Sequence, residues 1–200
     1  SLGLGGEKSD NQIIKNLIKF FFNARIINIY ASTEAGTLFG SNGTEFHIPE
    51  KLRQYVRISK DLELMVHRTL MADVEGLNKT NEWYNTGDLI EFKGENKFVI
   101  IGRKNNLINV GGYKVNPHEI ETLVRTFNIV QDIRVYSRPN KITGNIPVAE
   151  LVIDSNQNKR LLKKRLIKLL RDNLQDWKIP KMFYFVKELD QTKTGKLLRK

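Results

Sequence analysis

The order of apolar and polar positions divides the chain into stretches of different period. Ile14, Leu17, Ile18, Phe21 and Phe22 recur near 3.6-residue spacing, which predicts a helix from about Asn11 to Asn23 with Asp10 as its N-cap. Residues 1–8 read as the end of a strand entering a glycine turn, and Ile26–Tyr30 reads as a second strand. Strand–helix–strand is the edge of an α/β layer, in which ligands sit at the carboxyl ends of strands. Tyr30, Thr33 and Glu34 fall at such an end, although a Ser-Thr-Glu triplet taken alone reads first as a helix cap or turn.

From residue 44 to 101 the period shortens to that of strands. Tyr55–Ile58 and Leu62–Val66 flank a Ser-Lys-Asp turn, and Leu89–Phe92 and Phe98–Ile101 flank a second polar turn. Two such hairpins predict a small antiparallel sheet or partial barrel. Asp88 stands just before the Leu89 strand. It either closes a Thr-Gly-Asp turn or offers a carboxylate to two hydroxyls, as ribose-binding acids do.

The helical period returns after a charged, glycine-bearing stretch, Gly102–Glu121. Its Asn116-Pro117-His118-Glu119 combines an Asn N-cap, Pro at the first helical position and Glu three residues past the cap. A helix over about 117–127 is predicted, then strands at Asp132–Tyr136 and Val148–Ile153. A leucine-striped helix over Lys159–Leu174 and a strand over Met182–Val186 complete the pattern. The order α-β-β-α-β suits a small α+β domain. Gly102–Glu121 is either a working loop or a basic connector.

Charge sharpens the division. Residues 1–102 hold 12 Lys and Arg against 13 Asp and Glu, whereas residues 103–200 hold 21 against 9, so the net +11 lies wholly in the second half. A boundary near Arg103 follows. A basic half can meet nucleic acid, an acidic surface or a phosphate-bearing small molecule. Nucleic-acid binding is disfavoured, because no nucleic-acid module pattern is present and aromatics are not interleaved with the basic residues. The Lys/Arg face of the 159–174 helix reads first as a solvated surface. No cysteine is present and no apolar run is long enough to span a bilayer, so disulfides and a membrane span are not expected and a cytoplasmic setting is. His47, His67 and His118 are scattered, without metal-ligand spacing, and no nucleophile-elbow pattern occurs.

Five stretches in order resemble the adenylate-forming superfamily of acyl-CoA synthetases, peptide-synthetase adenylation domains and luciferases. They are Gly5-Gly6-Glu7, Tyr30-Ala-Ser-Thr-Glu34, Tyr84-Asn-Thr-Gly-Asp88, Gly102–Glu121 and Thr194-Gly-Lys196. The resemblance implies an α/β edge plus a small antiparallel β-subdomain, followed by an α+β C-terminal lid domain with a three-stranded sheet and helices. Residues 1–102 would be the C-terminal part of the large domain, with the α/β edge over 1–40 and the β-subdomain over 41–102. Residues 103–200 would be the lid. The family's Gly/Ser/Thr-rich phosphate loop would lie upstream of residue 1, leaving these 200 residues inactive alone.

What the family does then implies roles. The activity would be an ATP-dependent acyl- or aryl-CoA ligase, forming an acyl-adenylate from a carboxylic acid and then a thioester. An adenylation domain loading a carrier protein is the nearest alternative, and a basic module for nucleic acid or an acidic partner the alternative of a different class. Lys196 would be catalytic, bridging the carboxylate and the α-phosphate region. Gly6 and Glu7 would touch adenine and Tyr30 would stack on it. Thr33 would contact phosphate, and Glu34 would ligate Mg²⁺. Asp88 would hold the ribose with Arg103 nearby, and Lys114 would reach phosphate. Asn105 would be the hinge on which the lid turns between half-reactions. Gly111 and Gly112 would line the passage for the pantetheine of coenzyme A or of an acyl carrier protein. Three departures from the family pattern stand out: Ala31 for Gly, Asn105-Asn106 for an acidic pair, and no Gly ahead of the strand motif at Leu62.

Overall fold

The computed structural model describes residues 1–5, 11–72 and 81–190, without the side chains of 11–13. The chain divides into two compact units, Ser1–Asn105 and Asn106–Lys200.

The first unit holds two sheets. Strand β1 (Leu2–Leu4) pairs in parallel with β2 (Ile26–Ser32), joined through helix α1 (Asn11–Phe20), and β2 pairs antiparallel with β3 (Gly36–Ser41). Alternate burial along β2 places Ile26, Asn28 and Tyr30 inward. The second sheet is antiparallel, with β4 (Glu45–His47), β8 (Lys97–Arg103), β7 (Trp83–Phe92), β6 (Glu63–His67) and β5 (Val56–Ile58) side by side in that order. Tyr30, Phe39, Phe46, Leu64, Ile90 and Phe98 form one core between the sheets. Phe39 meets Phe98 edge-on at 5.2 Å, a favoured aromatic arrangement.

The second unit is a five-stranded sheet under two helices. Strands β9 (Ile108–Val110) and β10 (Tyr113–Val115) make a hairpin before α2 (Pro117–Arg125). Next, β11 (Val130–Asn140) and β12 (Gly144–Ile153) pair antiparallel over their length. Helix α3 (Lys159–Asn173) follows, and β13 (Met182–Val186) returns parallel to β12. Ile120 and Val124 of α2 and Leu162, Leu166 and Leu170 of α3 pack on Ile133, Val135, Ala149 and Leu151. The leucine stripe and the period-2 strands thus face each other across one core. Asn158 caps α3 by accepting from the Leu161 N–H, and Asn116 caps α2 by accepting from that of His118.

Several expectations are corrected. Helix α1 ends at Phe20, and Phe20, Phe21 and Phe22 are exposed, so the last two do not extend its apolar face. Asp88 lies inside β7, not ahead of a strand, beside register shifts that bend the strand between Leu89 and Ile90. The strand expected over Asp132–Tyr136 runs from Val130 to Asn140 and takes in Arg138 and Pro139. The sheet of the second unit has five strands rather than three, since β9 and β10, at three residues each, are too short to show alternation.

Candidate functional site

In the first unit, two of the expected site residues, Tyr30 and Arg103, meet at the Asp88 carboxylate. Its side chain is 8% exposed. Oδ2 accepts a 2.7 Å hydrogen bond from the Tyr30 hydroxyl, and Oδ1 accepts from Arg103 Nε at 2.8 Å. Arg103 stands directly across from Asp88 on β8, so sheet register delivers the pair. The exposed guanidinium covers the carboxylate from the solvent side. Burial, followed by the charge and hydrogen bond of Asp88, drives the Tyr30 hydroxyl far above the usual tyrosine range. It is a proton donor throughout the physiological range.

The strand around Asp88 is held from behind. Thr86 Oγ1 donates to the Leu64 carbonyl at 2.9 Å and accepts the Asp88 N–H at 3.1 Å. Glu63 Oε1 accepts the Gly87 N–H at 3.0 Å, where Gly87 has φ +76°. Glu63 Oε2 accepts from Lys104 Nζ at 2.9 Å. Glu63's hydrogen bond and charge, followed by the Asp61 hydrogen bond, hold the Lys104 ammonium above the ordinary lysine value.

Tyr30 packs its ring among aromatic neighbours. The residue is buried, with the Phe39 ring at 5.8 Å and the Phe46 ring at 6.2 Å. What the residue presents to the site is its hydroxyl on Asp88.

Thr33 and Glu34 lie in the tight turn between β2 and β3, closed by the Ala35 N–H donating to Ser32 Oγ and by Gly36 at φ +61°. Ser-Thr-Glu is therefore a turn, and it still sits at the carboxyl end of β2. Thr33 is exposed and Glu34 half-buried. Burial, then the negative charge of Glu34, raises the Tyr84 hydroxyl, so Glu34 faces the same quarter as the Tyr84–Asp88 strand. Among the described residues no three His, Asp or Glu gather as a metal cage. A single half-buried carboxylate fits Mg²⁺, which keeps several waters and takes one or two carboxylates beside substrate phosphates.

In the second unit, Gly111 and Gly112 are the two-residue turn of the β9–β10 hairpin, at φ +58° and +92°. A turn with both φ positive matches strand twist and selects glycine. Asn109 Oδ1 accepts the Gly112 N–H at 3.0 Å, and the Gly111 N–H donates to the Thr143 carbonyl at 2.8 Å. Lys114 is exposed on β10. Asn105, exposed, is the last residue of the first unit. Gly6, Glu7 and Lys196 lie outside the described residues.

Two groups escaped the sequence reading. Glu63 looks outward-facing by alternation with Leu62 and Leu64, but a register shift between Glu63 and Met65 buries Glu63 and Leu64 in succession. Arg134 sits mid-run in an apolar strand and is fully buried. It donates to Glu150 through Nε at 3.1 Å and also through Nη2, and it reaches the Asp190 carbonyl at 3.3 Å and carboxylate at 3.2 Å. An arginine between Ile133 and Val135 was the available signal, since such a charge is exposed or paired.

Residues 119–196 match the family model for the AMP-binding enzyme C-terminal domain. The chain is 27% identical to a 2-succinylbenzoate–CoA ligase of Staphylococcus epidermidis over 98% of this chain and 44% of the relative. It is 26% identical to an oxalate–CoA ligase of Saccharomyces cerevisiae over 90% and 37% respectively. Its fold matches an o-succinylbenzoate CoA synthetase from Bacillus subtilis, solved with the acyl-adenylate OSB-AMP, at a TM-score of 0.74 and 22% identity, covering 98% of this chain and 44% of that one. The chain thus spans less than half the length of the curated relatives it matches. Among the described residues no helix is long and apolar enough to cross a membrane. Over residues 119–196 the chain thus belongs with the AMP-binding enzyme C-terminal domains, and along its length it is similar to part of CoA ligases about twice as long or more.

Proposed function

We propose that this chain works as the C-terminal portion of an ATP-dependent acyl- or aryl-CoA ligase. The observation that carries the reading is the buried Asp88 carboxylate, held by Tyr30 and Arg103 at the Tyr84-Asn-Thr-Gly-Asp88 motif. Each oxygen spends one acceptor direction on those donors and keeps another for a ribose hydroxyl. Tyr30 orients the carboxylate. Arg103 balances its charge and, being exposed, can turn toward a phosphate.

In the first half-reaction, a carboxylate oxygen bonds to the α-phosphorus of ATP and pyrophosphate departs. In the second, a thiol loses its proton and attacks the acyl carbon, and AMP departs. Lys196 places its ammonium where negative charge builds between carboxylate and α-phosphate. Gly6 and Glu7 border the adenine, while Thr33 and Lys114 contact phosphates in their respective units. Glu34 would hold Mg²⁺, which neutralises phosphate charge when bound. Residues 1–102 serve as the end of the large domain and 103–200 as the lid, with Asn105 as pivot. Gly111 and Gly112 form a side-chain-free edge that a pantetheine can pass, whether of coenzyme A or of a carrier protein. The cysteine-free sequence suits a cytoplasmic setting.

The test is Asp88→Ala in the full-length protein that carries this chain, read by calorimetric AMP titration. Loss of both ribose bonds is expected to weaken AMP at least about ten-fold. Unchanged AMP affinity would sink the reading. Steeply salt-dependent DNA binding without nucleotide binding would favour the basic-module alternative.

A further inference from the structure

Glu63 is not among the groups that would touch nucleotide, yet its side chain is only 4% exposed. A carboxylate withdrawn from water is costly unless its lone pairs are met. Here they are met from two different elements: the Gly87 N–H of β7 on Oε1, and the Lys104 ammonium on Oε2. Gly87 immediately precedes Asp88. Lys104 lies between Arg103, which holds the other face of Asp88, and Asn105, where the first unit ends. Asp61 adds a second, longer contact to Lys104 Nζ at 3.4 Å.

We propose that Glu63 is a positioning residue: one buried carboxylate sets both the Gly87–Asp88 backbone and the Lys104 arm that leads into the unit junction. The proposal rests on the ligase reading for its consequence, but the linkage itself is a property of the first unit. It ties the height of the Asp88 carboxylate in β7 to the anchorage of the residue beside the pivot. Releasing one oxygen frees the arm and leaves the carboxylate in place. Releasing both disturbs each.

Three variants separate the two oxygens. Glu63→Ala removes both acceptors. Glu63→Gln keeps a carbonyl oxygen for Gly87 but turns an amide NH₂ toward Lys104. Lys104→Gln takes the charge from the arm alone. Amide hydrogen exchange in the full-length protein is expected to quicken over residues 103–106 by about three-fold in all three, the scale of a half-exposed ion pair. Exchange at 87–88 quickens only in Glu63→Ala. AMP affinity, measured by calorimetry, falls about ten-fold in Glu63→Ala for the unmet Gly87 donor and returns to within about three-fold of wild type in Glu63→Gln.

A merely structural ion pair would move exchange and AMP affinity together with thermal stability and would show no such division. Glu63→Gln behaving like Glu63→Ala in AMP affinity overturns the proposal. So does unchanged exchange over 103–106 in both Glu63→Gln and Lys104→Gln. If Asp88→Ala leaves AMP binding intact, the ligase reading fails instead, while the exchange pattern still decides the linkage.

Discussion

At the scale of single residues, Leu62 and Tyr30 carry the clearest energetic signatures. Leu62 is the non-glycine residue with left-handed backbone among those described, at φ +61°, and its side chain is half-exposed. Its N–H bonds the Ser59 carbonyl and its own carbonyl accepts the Ile90 N–H, so the turn, not the side chain, is what the fold uses. A β-carbon in that region costs about 1–2 kcal/mol, and glycine's extra unfolded-state freedom returns about 0.4–1 of it. Leu62→Gly is therefore expected to raise stability by roughly 0.5–1 kcal/mol in denaturant titration. A lower midpoint would show that the leucine makes contacts outweighing its strain.

Tyr30 predicts an alkaline signature. Its folded hydroxyl titrates above the ordinary value of 10.0 because burial and Asp88 oppose the phenolate. A raised folded value means that the stabilisation is complete below the unfolded value and is lost as pH climbs beyond it. Stability should fall from about pH 10 upward with one more proton's slope in wild type than in Tyr30→Phe. Parallel curves in chemical denaturation across that window would contradict the burial of this hydroxyl. The same variant leaves Asp88 with one donor fewer, so it also tests how far Tyr30 orients the site.

At the scale of elements, the β9–β10 hairpin shows how one stretch can serve structure and chemistry at once. Gly111 and Gly112 were legible as a turn pair and, through the family pattern, as a thiol passage. The positive φ at each gives them a conformational reason that holds without any ligand. An added β-carbon at Gly112 would meet nothing within 4 Å, so the constraint there is backbone conformation alone. Gly112→Ala is expected to cost about 1–2 kcal/mol in thermal or urea unfolding. A neutral effect would mean that the hairpin relaxes into another turn. Similar logic separates what was readable in β7 from what was not. The Thr-Gly-Asp motif is local in sequence, but its placement inside a bent strand depends on β6 and β8, whose paired residues lie 26 and 15 positions away (Leu89 with Glu63, Asp88 with Arg103).

At the scale of the whole molecule, the charge division near Arg103 and the split into Ser1–Asn105 and Asn106–Lys200 describe two units of different composition. Under the proposed function each holds part of one chemistry. The 200-residue chain alone is then expected to release no pyrophosphate from ATP, and Lys196→Ala in the full-length protein to abolish adenylation yet spare thioester formation from a supplied acyl-adenylate. Equal loss of both half-reactions would remove Lys196 from the first step. Pyrophosphate release by the isolated chain would show that no upstream loop is needed.

What the sequence determined by itself was everything carried by local spacing. The cap at Asn116, the leucine stripe of α3, the paired strands and the order of five motifs depend on residues a few positions apart. Tertiary structure alone decided which distant polar groups share a buried site. Tyr30 and Asp88 are 58 residues apart, Glu63 and Lys104 41, and Arg134 and Asp190 56. Each pairing follows from strand order and from bulges that shift side chains between faces, and a bulge leaves no period to read. The physical reason is that helix and strand periods are short-range, whereas the cost of burying a charge is met by whichever partner the completed fold brings within reach.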